Sequence, residues 1–311
     1  MSAIYVAITI DVEADCSPNW DRCDPLSYTS VTYGIPNLLQ PVFNRFGAKP
    51  TYFLSPEIVE SDESVKAILS LTGKYELGAH LHPEFIEPHV EMDRCSEGRS
   101  AKFACYDYSD EIEFEKIKNL TRSFERRIGR KPLCYRAGRY GADSNTIKAL
   151  KQLGYLVDSS VTPHIDWAKQ KGPNFKNYPQ QPYFIDPDDF SKKDDTSGIL
   201  EVPITIGGKR LPMLPDQWLF YSWLRPTHMS VCEQKRLIRQ YIQKYNDQKC
   251  IVFCMMFHSM EVIPNASPYT RSQNGVKRLL SRMEVVLKFF QEMDTHFVGL
   301  GDVYDLYSDG K

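Results

Sequence analysis

Eight short runs of largely apolar residues are strung along the chain, and several of them stop at a charged or imidazole side chain. They cover 4–10, 51–54, 76–82, 133–136, 155–161, 199–206, 251–258 and 296–299. Runs that are apolar throughout, instead of alternating with polar residues, suit strands covered on both faces, as in a parallel sheet under helices. Amphipathic segments lie between them. Residues 109–128 place Ile112, Leu120, Phe124 and Ile128 near one face, and 143–153 repeat Ile147, Leu150 and Leu153 before Gly154. Ser230 with Glu233 reads as a capping box opening a helix through Tyr241, and 276–293 make a last long helix. Strands alternating with helices predict an α/β fold: a distorted (β/α) barrel of about seven or eight strands, with a doubly wound sheet as the alternative.

The 311 residues suit one barrel-sized domain over 1–311, with long polar excursions near 89–108 and 163–197 at the site mouth. Net charge is −2, so no global attraction to nucleic acid or to a membrane surface is implied. No apolar stretch is long enough to span a bilayer, and the start runs straight into an acidic motif instead of a cleavage site. Cytoplasmic residence is the expectation. The cysteines at 16, 23, 95, 105, 134, 232, 250 and 254 form no Cys-x-x-Cys pair and read as reduced thiols.

The chemistry collects at strand ends, where parallel α/β folds gather their sites. TIDVEAD puts Asp11, Glu13 and Asp15 on one face of a continuing strand, because side chains repeat every two residues. GAHLHPE does the same with His80 and His82, and Glu84 is a further candidate if the chain turns helical. A carboxylate with two imidazoles is a donor set that suits zinc and leaves room for water. Arg136 and Arg139 leave the strand ending YRAGR and require anionic partners, for which the acidic cluster is the nearest choice. Asp158 follows the run LV, and His258 ends the run CIVFCMMF.

The ordered set TIDVE, GAHLHP, YRAGRYG, DSSV and MFHSM resembles the five motifs of the polysaccharide deacetylases, metal-dependent carbohydrate esterases with a distorted (β/α) barrel. The resemblance runs from Ile4 to about His258. Three differences stand out: Val12 separates the two acids, the histidines are two apart instead of four, and Gly138 stands where the family often has proline.

The resemblance implies removal of an acetyl group from an N-acetylated sugar or glycan. A divalent metal, zinc by preference, would be held by Glu13, His80 and His82. Asp11 would be the general base, Arg136 would hold it, His258 would protonate the leaving amine, and Asp158 would orient His258. The oxyanion would meet the metal and a backbone N–H near Tyr140. Trp167, Tyr183, Trp218, Tyr221 and Trp223 are candidates for a sugar-stacking wall, whereas Arg225 reads as half of a structural ion pair. Two other readings stay open: a hydrolase of a small non-carbohydrate amide or imide, and a non-catalytic barrel that binds a glycan or a partner.

Overall fold

The computed structural model describes residues 2–90, 107–186, 188–194, 198–208 and 221–308. The first half holds β1 (Ala3–Val12), a widened helical segment Ser30–Leu39 running into α1 (Gln40–Phe46), β2 (Thr51–Leu54), α2 (Pro56–Glu60), α3 (Asp62–Leu69), β3 (Glu76–Leu81), α4 (Asp110–Ile128), β4 (Cys134–Ala137), α5 (Ser144–Gln152) and β5 (Val157–Asp158). The second half holds β6 (Tyr183–Phe184), β7 (Leu200–Glu201), β8 (Ile206–Gly208), β9 (Tyr221–Trp223), α6 (Val231–Lys244), β10 (Cys250–His258), α7 (Gln273–Gln291), β11 (His296–Val298) and α8 (Leu300–Ser308). The Ser230 cap forms as the sequence predicts and opens α6 in a reciprocal box; Asp143 opens α5 in another.

The main sheet runs β10-β1-β2-β3-β4-β5-β7-β6, with β11 added beside β1, and it curls into a half-barrel dominated by parallel pairs. This is the distorted α/β barrel expected from the sequence. Strand register sets the site. β1 pairs with β10 from Ala3↔Cys250 to Asp11↔His258, so two candidate residues finish abreast. β3 pairs with β4 so that His80 stands beside Arg136.

The apolar runs conceal a strict division of faces. Ile8, Ile10, Val12, Tyr52, Leu81, Tyr135, Phe253 and Phe257 pack outward on helical residues such as Phe43, Leu120, Phe124 and Phe290. Ala7, Phe53, Cys134, Val252, Cys254 and Met256 point inward and fill the barrel. Period-two alternation then carries Asp11, His80, Arg136 and His258 onto the inner face at its open end. Gly78 is needed in that interior, because a Cβ there would lie 2.7 Å from the Phe53 ring.

Two stretches differ from expectation. Residues 199–206 do not form one strand. The chain leaves the sheet after Glu201 and bridges the gap to β10: Val202 N–H donates to Asp158 O, Ile204 N–H to Val161 O, and Thr205 N–H to Cys254 O. The Gln181 side chain continues this closure, accepting from Val252 N–H at 2.8 Å and donating to Val252 O at 3.0 Å. The barrel is therefore closed on this side by irregular backbone, the Gln181 amide and the Thr205 hydroxyl, which accepts from Cys254 N–H at 2.9 Å, and these satisfy the open edge of β10. The excursion 163–197 also holds β6, paired antiparallel with β7. Most of the excursion 89–108 lies outside the described residues. Among the described residues no helix is long and apolar enough to cross a membrane.

Candidate active site

Glu13, His80 and His82 converge at the open end of the barrel, with one donor atom of each lying within 4.8 Å of the others. All three are buried. His80 Nδ1 sits 3.0 Å from the carbonyl of Arg136, which fixes Nε2 toward Glu13 Oε1 at 3.2 Å. His82 Nδ1 is 3.4 Å from Glu84 Oε1, and its Nε2 lies 3.3 Å from the same Glu13 oxygen. That Nε2 is buried yet makes no well-directed hydrogen bond among the described residues. Two imidazoles braced on Nδ1, with both Nε2 atoms aimed past a carboxylate, is how proteins hold a first-row divalent cation. The donor set fits such an ion.

The electrostatics point the same way. Burial pushes the His82 pKa down, but the Glu13 and Glu84 carboxylates flanking it win and lift it to about 9. Burial pushes Glu13 up, and the His82 charge with the hydrogen bond from His80 holds it well below the usual carboxylate range. A positive charge is wanted between these groups, and a proton on His82 supplies one.

Glu84 is not placed as a ligand. It braces His82 from behind and is itself held by Arg139 Nη2 at 2.6 Å and by Arg22 Nη2 at 3.5 Å. Gly138 belongs to the same assembly. A Cβ at that position would come within 2.6 Å of Leu81 O and 3.1 Å of the His82 ring. The Leu81 carbonyl and, less closely, the His82 ring therefore leave no room for a side chain at this position. Arg139 and Tyr140 follow with φ of 52° and 58°, a left-handed pair that ordinary residues adopt at a cost of about 1–3 kcal/mol each.

Beside Glu13, Asp11 is 2% exposed and Arg136 is fully buried. Arg136 Nη1 donates to Asp11 Oδ1 at 2.7 Å; Nη2 donates to Thr9 Oγ1 at 2.9 Å and Ser159 Oγ at 2.8 Å; Nε donates to Ser159 O at 2.7 Å. The guanidinium also lies over Phe53, 4.6 Å from its centroid. Burial raises the Asp11 pKa, but the Arg136 charge, then His80 and His258, win and lower it overall. Asp11 Oδ2 accepts no hydrogen bond among the described residues, which leaves it available to a water.

His258 Nε2 stands 3.8 Å from Glu13 Oε1, and its strand position is abreast of Asp11. Its partner is not Asp158. Nδ1 lies 3.0 Å from Glu261 Oε1, which also accepts from His258 N–H at 3.0 Å and pairs with Arg225. Burial raises the Glu261 pKa, yet Arg225 and the His258 hydrogen bond bring it down to about 2. Arg225 Nη2 is 3.1 Å from His258 Nδ1 as well, but the carboxylate is the better partner for an Nδ1–H.

Asp158 is engaged elsewhere because β5 pairs with β7, setting Asp158 abreast of Glu201. Its carboxylate accepts from Ser160 Oγ at 2.7 Å, and burial raises the pKa of both acids. The acid beside His258 Nδ1 is therefore Glu261, and Asp158, expected there, lies against Glu201 instead. Within DSSV the residue that touches the inner cluster is Ser159, through Arg136.

Sequence reasoning missed Glu261, Glu84's bracing role, Ser159 and Thr9. An acid three residues after His258 at a helical turn was the available signal for Glu261. Asp15 caps the segment at Ser30, accepting from Thr29 N–H at 2.8 Å and Ser30 N–H at 3.1 Å, and takes no part in the cluster. Of the aromatic candidates, Trp167 stacks on Tyr140 at 5.7 Å and Trp223 leans on it at 6.3 Å. Tyr183 is buried with its hydroxyl on Phe190 O, Tyr221 stacks on His164, and Trp218 lies outside the described residues.

No protein-family model matches the chain, and no curated protein matches it. Solved structures do. A protein described as a polysaccharide deacetylase, from Mycobacterium smegmatis, matches 99% of this chain and 91% of its own at 14% identity and a TM-score of 0.55. One described as a glycoside hydrolase/deacetylase, from Parabacteroides distasonis, covers 99% of this chain and 72% of its own at 11% identity, with a TM-score of 0.67. An allantoinase covers 97% of this chain and 89% of its own at 12% identity, with a TM-score of 0.54. The chain has the deacetylase-like barrel fold that these proteins share.

Proposed function

We propose that the chain is a divalent-metal-dependent hydrolase that releases acetate from an N-acetylated sugar or glycan. The observation that carries this reading is the meeting of three elements in one buried cluster. These are the Glu13–His80–His82 donor set, the Asp11–Arg136 pair beside it, and His258 with Glu261 at the end of the neighbouring strand. A binding module requires none of that set. Zinc is the preferred ion, on the nitrogen-rich donors.

Glu13, His80 and His82 would hold the ion, which when bound supplies Lewis acidity to a water and to the amide carbonyl. Asp11 takes the proton of the attacking water on Oδ2. Arg136 keeps that carboxylate ionised and fixed at the barrel mouth. His258 gives a proton from Nε2 to the leaving nitrogen, and Glu261 holds the ring by Nδ1. A backbone N–H near Tyr140 serves the oxyanion.

The test is metal content by elemental analysis together with acetate release from a panel of N-acetylated sugars and small amides. The proposal expects close to one ion per chain, acetate from at least one sugar, and loss of both in His80→Ala. Cleavage of small amides with no sugar turned over would move the activity to the non-carbohydrate amide reading. Full metal retention in His80→Ala removes the site as drawn.

A further inference from the structure

An aromatic wall stands on the His258 side of the cluster and plays no part in the steps above. Three separate loops build it. Trp20, between β1 and the helical segment at Ser30, makes edge-to-face contacts with His258 at 5.4 Å and with Tyr269 at 5.5 Å. Tyr269, between β10 and α7, meets His228 of the β9–α6 connection at 4.7 Å. Arg225 lies over the Tyr269 ring, 4.5 Å from its centroid, and so ties the wall to the Glu261 carboxylate that holds His258.

Trp20 is held there against its own preferences. Its φ is 69°, a region bulky residues enter at a cost of about 1–3 kcal/mol, and its side chain is 36% exposed. The turn that imposes this is anchored on both sides. Ser17 N–H donates to Asp21 O, Cys16 pairs with Arg22, and Arg22 reaches Glu57 at 3.4 Å. Both ring contacts are edge-type, with interplanar angles of 67° and 78°, so neither neighbour lies flat on the indole. A strained, exposed indole that no ring stacks on among the described residues, beside the proton donor, is suited to a ligand, not to the core.

Chemistry decides which part of a substrate meets it. The proton from His258 goes to the leaving nitrogen, so the leaving group lies against whatever surrounds His258. The acyl carbon lies toward Glu13 and Asp11. We propose that Trp20 and Tyr269 are the specificity surface for the amine-bearing half of the substrate, and that this half is a pyranose ring whose axial C–H face packs on the indole. This rests on the deacetylase reading and deepens it: selectivity is set by the sugar that leaves as the amine.

The probe is the β-1,4-linked glucosamine trimer, the leaving group itself, which the enzyme cannot consume. It is titrated by calorimetry into zinc-loaded protein, with acetate release from the N-acetylated trimer measured in parallel. Trp20→Ala should weaken trimer binding about tenfold, as expected for loss of a central aromatic contact. Trp20→Phe should restore most of it, and Tyr269→Ala should give a smaller loss in the same direction. Equal trimer binding by wild type and Trp20→Ala, or no binding by wild type, overturns the wall whether or not acetate is released. Binding that falls in Trp20→Ala and recovers in Trp20→Phe, with no acetate from wild type, keeps the wall and removes the deacetylase reading.

Discussion

Replacing Arg136 with methionine isolates what holds the buried Asp11 carboxylate. The guanidinium makes the 2.7 Å bond to Asp11 and three more to Thr9 and Ser159, all out of water. Methionine keeps much of the volume over Phe53 but leaves Asp11 as an uncompensated buried charge. Breaking a buried pair in this way costs about 3–5 kcal/mol. The pH dependence identifies the cause. In the wild type the Asp11 pKa lies below its ordinary 3.8, so its stabilising contribution is complete above that value and lost as pH falls through the lowered one. Without Arg136, burial is left dominant and carries the pKa up, so the variant loses stability as pH rises above the ordinary value. Urea denaturation of metal-stripped protein between pH 4 and 8 reads both effects. Adding Asp11→Asn to Arg136→Met should return about 2 kcal/mol at pH 7 and little at pH 4, since only the ionised carboxylate is penalised. Effects of the two substitutions that add within about 0.5 kcal/mol at every pH would refute the reasoning.

Three further outcomes are expected. Gly138→Ala should displace His82 and lower metal affinity about 10–100-fold, as loss of ligand support does; unchanged affinity in a competition titration would show that the ring moves freely. His258→Ala should slow amide cleavage about 10²–10⁴-fold and an activated aryl acetate far less, with Glu261→Gln a weaker version of the same pattern; equal losses on both substrates would remove His258 as the leaving-group acid. Glu113, buried between α4 and α5 and bonded by Thr146 Oγ1 at 2.5 Å, has its pKa pushed up to about 7 by burial. The folded state binds the extra proton, so stability is full below the ordinary 4.5 and falls as pH rises through about 7. Glu113→Gln should therefore be more stable than wild type at pH 8 by about 2–3 kcal/mol in thermal or urea melts, and a less stable variant there would contradict the burial argument.

The sequence alone determined the parallel barrel, the helix cap at Ser230, and which acids and histidines gather at strand ends. These signals are local. An apolar run of strand length, a capping box and a two-residue repeat each act within one segment, so Asp11 with Glu13, and His80 with His82, can be assigned to shared faces without knowing their neighbours. What stands opposite those faces is set by register between distant segments, and only the tertiary structure decided it. Asp158 looked free to reach His258, but the pairing of β5 with β7 gives it to Glu201, and the turn after β10 brings up Glu261. The run 199–206 looked like one strand because it is apolar, yet it is apolar because it plugs the gap between β7 and β10. Gly138 was a bare departure from a motif until packing showed the His82 ring in the space a side chain would fill. The wall of Trp20 and Tyr269 had no sequence signal at all, since its rings lie on loops nearly the whole chain apart. Close packing of the barrel rim brings them together, and no period within either loop could have announced it.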